Sequence, residues 1–258
     1  MMADHLGVVL LVLGLMAFFA EYVDSSIGMG YGTTLTPALI ILGFKPLQIV
    51  PTVLLSQMIC GFFGALSHHN IGNVDLHYRS KAFRIMLVLA SCSLAGTLVA
   101  VALAVTLPKF WVTLYIGLMI LGIGIYIIVS SILKKEGAFS WFKLLVIGLV
   151  AAFNKGISGG GYGPLVTGGQ VLSGVSAKNA IGITSLAEGT MCLAGFIAYV
   201  VVKGLPPWEL VVPLVGGAIL SVPIAAKTVS IMPERSFKKW IGIATMYLAA
   251  LMLYKILA

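Results

Sequence analysis

Ten apolar runs fill this chain, at about 5–22, 28–43, 48–67, 83–106, 110–133, 141–154, 159–173, 177–202, 208–229 and 237–257. All read as helices. Short clusters of Pro, Gly and charge separate them, such as Gly43-Phe-Lys-Pro46, Pro108-Lys109, Gly204-Leu-Pro-Pro207 and Pro233-Glu-Arg235. The longest polar stretch, about Ser67 to Arg84, reads as a loop and is too short for a separate soluble domain. The pattern predicts an all-α polytopic membrane protein. Runs 141–154 and 159–173 are short: fifteen helical residues cover about 22 Å, against roughly 30 Å of hydrocarbon.

The two halves repeat. Gly28-Met-Gly-Tyr-Gly32 and Gly159-Gly-Gly-Tyr-Gly163 are the same motif 131 residues apart. Residues 20–64 align without a gap on 151–195, with identities that include Gly28/Gly159, Gly30/Gly161, Gly32/Gly163, Thr36/Thr167 and Gly64/Gly195. Later matches, Pro108/Pro233 and Gly117/Gly242, shorten the offset to 125. The expected units are 1–134 and 135–258, two repeats of about five helical segments in one compact transmembrane domain. Basic residues cluster at Arg79/Lys81/Arg84, Lys134/Lys135/Lys143 and Arg235/Lys238/Lys239. Placing all three clusters in the cytoplasm puts equivalent loops on opposite faces, so the repeats are expected to be inverted, with both termini outside the cytoplasm. A glycine-rich break inside membrane-grade sequence must lie in protein or line a wet cavity. The first two segments of each repeat are therefore expected to form glycine-broken hairpins, spanning or re-entrant, whose tips meet near mid-membrane.

Composition sharpens this picture. Of 258 residues, 60% are hydrophobic and 9% charged, which excludes a soluble globular domain. The net charge of +8 sits in short loops, as membrane topology requires, and is no nucleic-acid footprint. Cys60, Cys92 and Cys192 are scattered through apolar runs and read as small core residues, with no disulfide framework or zinc site. The run Leu6–Ala20 lacks a basic leader and is expected to be retained.

With Asp24-Ser-Ser-Ile-Gly-Met-Gly-Tyr-Gly-Thr-Thr-Leu-Thr-Pro37 and Asn154-Lys-Gly-Ile-Ser-Gly-Gly-Gly-Tyr-Gly-Pro164, the chain resembles the TauE/SafE sulfite exporter family of anion permeases, over essentially its whole length. The first motif departs from the second at Met29, and at Thr33 where the second has Pro164. The resemblance implies transport of a small sulfur oxyanion, such as sulfite, thiosulfate or an organosulfonate, in a bacterial inner membrane.

The candidate binding residues cluster at the two breaks. A helix N-terminus exposes unpaired N–H groups and a partial positive charge, and glycine lets an oxyanion approach them. Gly28, Gly30, Gly32, Gly159, Gly160 and Gly161 are the candidate backbone donors, with Ser25, Ser26 and Ser158 as hydroxyl donors; tight helix packing is the competing role for the glycines. Lys155 and its repeat equivalent Asp24 stand just before the breaks. Lys155 is read as facing the anion, as pairing with Asp24, or as reaching to the interface. Glu188, deep in an apolar run, and its equivalent Gln57 are candidates for coupling or gating, as is Glu21; Glu188 could carry a proton or neutralise Lys155. His68, His69 and His77 read as a solvated loop, and no metal or other cofactor is expected. Gln48 and Asn179, at helix starts, read as caps or cavity-lining amides.

The expected function is a secondary transporter that exports a small sulfur anion by alternating access. A passive anion channel is the alternative. An enzyme is not expected, since no catalytic set lies in the apolar runs, and no Walker motif offers ATP. The sequence leaves oligomeric state open, a homodimer included.

Overall fold

The computed structural model describes residues 2–132 and 140–231, together with 246, 247, 250, 253 and 254. All described secondary structure is helical. The elements are α1 (Met2–Ile27), α2 (Tyr31–Ile41), α3 (Pro46–Asn70), α4 (Lys81–Thr106), α5 (Lys109–Ile132), α6 (Trp141–Ser158), α7 (Tyr162–Leu172), α8 (Ala177–Lys203) and α9 (Trp208–Ile231). Most of the tenth apolar run, and the basic residues Lys134, Lys135, Arg235, Lys238 and Lys239, lie outside the described residues.

Six of these helices are long and apolar enough to cross a membrane: α1, α3, α4, α6, α8 and α9. Their outer faces are apolar. On α1, Val8, Leu11, Leu15 and Phe19 are all exposed, at the spacing of one helix face, as a lipid-facing stripe requires. α2 and α7 have 11 residues each, about 16 Å of helix at 1.5 Å per residue. Each is about half the length that a full crossing needs and follows directly on a longer partner, α1 or α6.

The packing is reciprocal. α1 lies on α9, as α6 lies on α4, and α3 lies on α8. Close approaches give the directions. Gly14 meets Pro213 and Gly217, while Tyr22 meets Thr228, so α1 and α9 run parallel. Gly148 meets Leu89 and Gly156 meets Ala100, so α6 and α4 also run parallel. Gly61 meets Ser185 and Gly189, Gly195 meets Leu54, and Gly182 meets His68, so α3 and α8 run antiparallel.

Helix starts use local chemistry. Ser80 caps α4 by accepting from Phe83 N at 3.0 Å. Gln48 is a cap, its Oε1 accepting from Lys45 N at 3.1 Å. Asn179 donates to Ser176 Oγ at 2.9 Å at the start of α8. Cys60 and Cys192 are buried in the core and Cys92 is half-buried; all three are free thiols.

One expectation fails here. His68 is not in a solvated loop. It is fully buried in the last turn of α3, where Nε2 meets Ser25 O at 3.0 Å and Nδ1 meets Asn73 Nδ2 at 3.1 Å. α3 runs three residues beyond the apolar run, to Asn70, because these polar partners replace water at its end. His69 is half-buried and His77 exposed.

Candidate functional site

Each glycine motif makes the same turn. α1 and α6 end where Gly28 and Gly159 take φ +75° and +73°, with Gly28 N donating to Asp24 O at 2.6 Å and Gly159 N to Lys155 O at 2.7 Å. Gly30 and Gly161, at φ +142° and +87°, then launch α2 and α7. These are left-handed positions that glycine alone occupies at low cost. α1 continues through Ile27, so Asp24, Ser25 and Ser26 belong to its last turn rather than to the break.

The two tips meet. A Cβ on Gly32 would fall inside the Gly159 carbonyl, and one on Gly163 inside the Gly28 carbonyl. A Cβ on Gly160 would stand 2.6 Å from Gly32 C. Thr167 Oγ1 bridges the tips by donating to Gly28 O at 3.0 Å. Its repeat equivalent Thr36 stands beside Gly159, with Oγ1 buried and without a hydrogen-bond partner among the described residues. Several glycines proposed as anion donors therefore also pack backbone against backbone.

The candidate hydroxyls are engaged locally. Ser25 Oγ donates to Glu21 Oε1 at 2.6 Å, and Ser26 Oγ to Tyr22 O at 2.6 Å. Ser158 Oγ donates to Asn154 O at 2.7 Å and accepts from Gly160 N at 2.9 Å. Asp24 Oδ1 accepts from Tyr31 N at 3.2 Å, so a carboxylate of the chain itself caps α2.

Beside the tips a buried polar chain links the halves. Lys155 Nζ pairs with Glu188 Oε1 at 2.6 Å and lies 3.5 Å from Gln57 Oε1. Gln57 Nε2 in turn donates to Glu21 Oε2. Lys155 and Glu21 are each 2% exposed and Glu188 is 4%. Lys155 does not reach to the interface, and no ion pair joins it to Asp24 within 4 Å among the described residues. Gln57 and Glu188 are aligned positions of the two halves of the sequence, and one ammonium touches both.

The arrangement is electrostatically unbalanced. Glu188 touches the ammonium of Lys155 and Glu21 reaches it through Gln57, so two buried carboxyl groups share one buried ammonium among the described residues. Breaking a buried pair from one side leaves an uncompensated charge, at a cost of about 3–5 kcal/mol. Such a cluster can bind an anion only if a carboxylate yields its place on Lys155 or takes up a proton.

The structure adds residues that were not singled out as site candidates. Tyr31 OH meets Ser56 Oγ at 2.8 Å, and Tyr162 OH meets Ser93 Oγ at 3.0 Å, pinning both tyrosines of the motifs. Tyr115 OH donates to Asn154 Oδ1. The Thr36/Thr167 pair was visible as an identity between the repeats.

A family model described as "Sulfite exporter TauE/SafE" matches residues 13–252. The chain is 27% identical over 229 residues to the "Probable membrane transporter protein YtnM" of Bacillus subtilis (strain 168), covering 84% of this chain and 73% of that protein. No solved structure matches.

Proposed function

Since the chain belongs to the sulfite exporter TauE/SafE family, and is thus a multi-pass membrane protein, we propose that it is a secondary transporter that exports a small sulfur-containing anion, sulfite or an organosulfonate, by alternating access. The observation that carries this reading is the buried Lys155–Glu188 pair, 2.6 Å long, set beside the meeting of the two short helices. The anion takes the place of the Glu188 carboxylate on Lys155. The N-terminus of α7 and the hydroxyl of Thr36 supply further donors, while Asp24 occupies the first N–H of α2. Adding an anion to a cluster already rich in carboxylates links its entry to proton uptake, with Glu188 as the carrier: a proton there releases Lys155 to the substrate.

The halves 1–134 and 135–258 act as inverted repeats that rock against each other about the α3–α8 contact. The antiparallel run of these equivalent helices supports that reading. A negative interior favours export by about 2.3 kcal/mol per net negative charge moved per 100 mV, so a proton carried with the anion offsets one charge of that drive.

The test is flux in proteoliposomes with sulfite, sulfate, thiosulfate and sulfoacetate as the panel. Saturable flux of one of the sulfur anions, with counterflow, is expected. Unsaturated flux with unitary currents would instead make the protein a channel, and no flux of any of them would end the substrate assignment.

A further inference from the structure

The loop between α3 and α4 gathers side chains that the transport reading does not use. α3 ends at Asn70, and Gly72, at φ +81°, turns the chain back on itself. Asn73 N donates to His68 O at 2.9 Å, and His69 Nδ1 meets Val74 O at 3.2 Å. The reversal lays residues 73–77 beside the last turn of α3. His69, from the helix, then faces Asp75 and His77, from the loop.

Each of these three residues offers a ligand atom, and the three atoms lie within 4.8 Å of one another. The two imidazole centroids are 5.0 Å apart. Asp75 Oδ1 accepts from the His77 backbone N–H at 3.0 Å and stands 2.8 Å from His77 Nδ1. The side chains of His77 and Asp75 are 74% and 66% exposed, which leaves an open path from solvent. The neighbouring Arg79 guanidinium lies over the Tyr78 ring, 5.1 Å from its centroid.

We propose that His69, Asp75 and His77 form a binding site for a divalent transition-metal ion of the zinc class. Two imidazoles and a carboxylate suit zinc and its neighbours rather than magnesium or calcium, which prefer all-oxygen sets. Three protein ligands leave the fourth tetrahedral position to water. Small rotations of the two exposed side chains close the 4.8 Å spread to the separation that zinc ligands need. The ion would stand next to a structural joint: His68 meets Ser25 O at the end of α1, and Asn73 Nδ2 donates to Ala226 O of α9 at 2.9 Å. The site stands independently of which solute the protein carries.

The experiment is calorimetric titration of the full chain in detergent micelles, with any purification tag removed, using Zn²⁺ and separately Mg²⁺. One Zn²⁺ per chain is expected, and no Mg²⁺ binding. His77→Ala and His69→Ala should each weaken Zn²⁺ by about tenfold or more. His77 is exposed, so His77→Ala keeps the test valid if His69→Ala folds poorly. The absence of saturable Zn²⁺ binding, or affinity unchanged in His77→Ala, would overturn the site. So would binding lost only when Cys60, Cys92 and Cys192 are replaced.

Discussion

Lys155 and Glu188 hold each other inside the protein, and that bond decides how each can be probed. Lys155→Met leaves the Glu188 carboxylate without its cation, so a loss of stability of about 3–5 kcal/mol is expected along with lost transport. Removing both charges separates the two effects. Lys155→Met with Glu188→Leu should regain most of the melting temperature, since an apolar pair often matches a buried ion pair. It should still carry no sulfur anion in proteoliposomes. Recovery of flux in the double variant would take Lys155 out of the site. Glu188→Gln asks a narrower question. Gln mimics the protonated acid, and the equivalent position already holds Gln57. The variant should fold, still exchange anion at equilibrium, and lose the response of flux to a pH gradient. A response left intact would move the proton to Glu21, which is buried and bonded to Ser25 and Gln57.

At the scale of the elements, the glycine motifs set the close approach of the two hairpins. Gly32→Ala puts a methyl group into the Gly159 carbonyl, and neither backbone can yield. That variant should unfold or fail to accumulate, and Gly161→Val, strained at φ +87° and set against Ile123 and Met119, should do the same. Gly122→Ala is the control: nothing among the described residues lies within 4 Å of the added Cβ, so it should be neutral or raise stability by up to about 1 kcal/mol. Melting temperatures of the three variants in detergent make the comparison, and an intact Gly32→Ala protein would remove the tip contact. Much of this was legible beforehand. The doubled motif announced two equivalent breaks, because glycine at a fixed offset in apolar sequence has a backbone reason. The ends of the arms were less legible. Asp24 to Ile27 and Lys155 to Ser158 are polar enough to read as loop, yet they stay helical because Ser25 and Ser158 satisfy their hydroxyls on nearby groups. The partner of Lys155 was only one of several options, since no local pattern tells which of three carboxylates an ammonium will meet. His68 misled because its burial rests on a contact with Ser25, 43 residues away.

For the molecule as a whole, the directions of the helices make a prediction about the membrane. α3 and α8 occupy equivalent places in the repeats and run antiparallel. The start of α8 lies beside the end of α9, where Lys178 Nζ donates to Ser230 O at 3.1 Å, and Asn73 ties the α3–α4 loop to the same region through Ala226. The loop after α3, the start of α8 and the end of α9 therefore share one face. The loop after α8, with Lys203, emerges on the other. Arg79 and Lys81 lie on the first face, and a basic loop favours the cytoplasm. Single cysteines at Arg79 and at Lys203, in a background with Cys60, Cys92 and Cys192 replaced, should thus label from opposite sides of intact cells. Arg79 should react only after the membrane is made permeable, and Lys203 directly from outside. Labelling of both positions from the same side would remove the inverted arrangement, because one repeat could then no longer present its tip from the opposite face to the other. Labelling from opposite sides, but with Lys203 inside, would keep the inversion and reverse the orientation, and the inside-negative potential would then drive the anion through a molecule turned the other way.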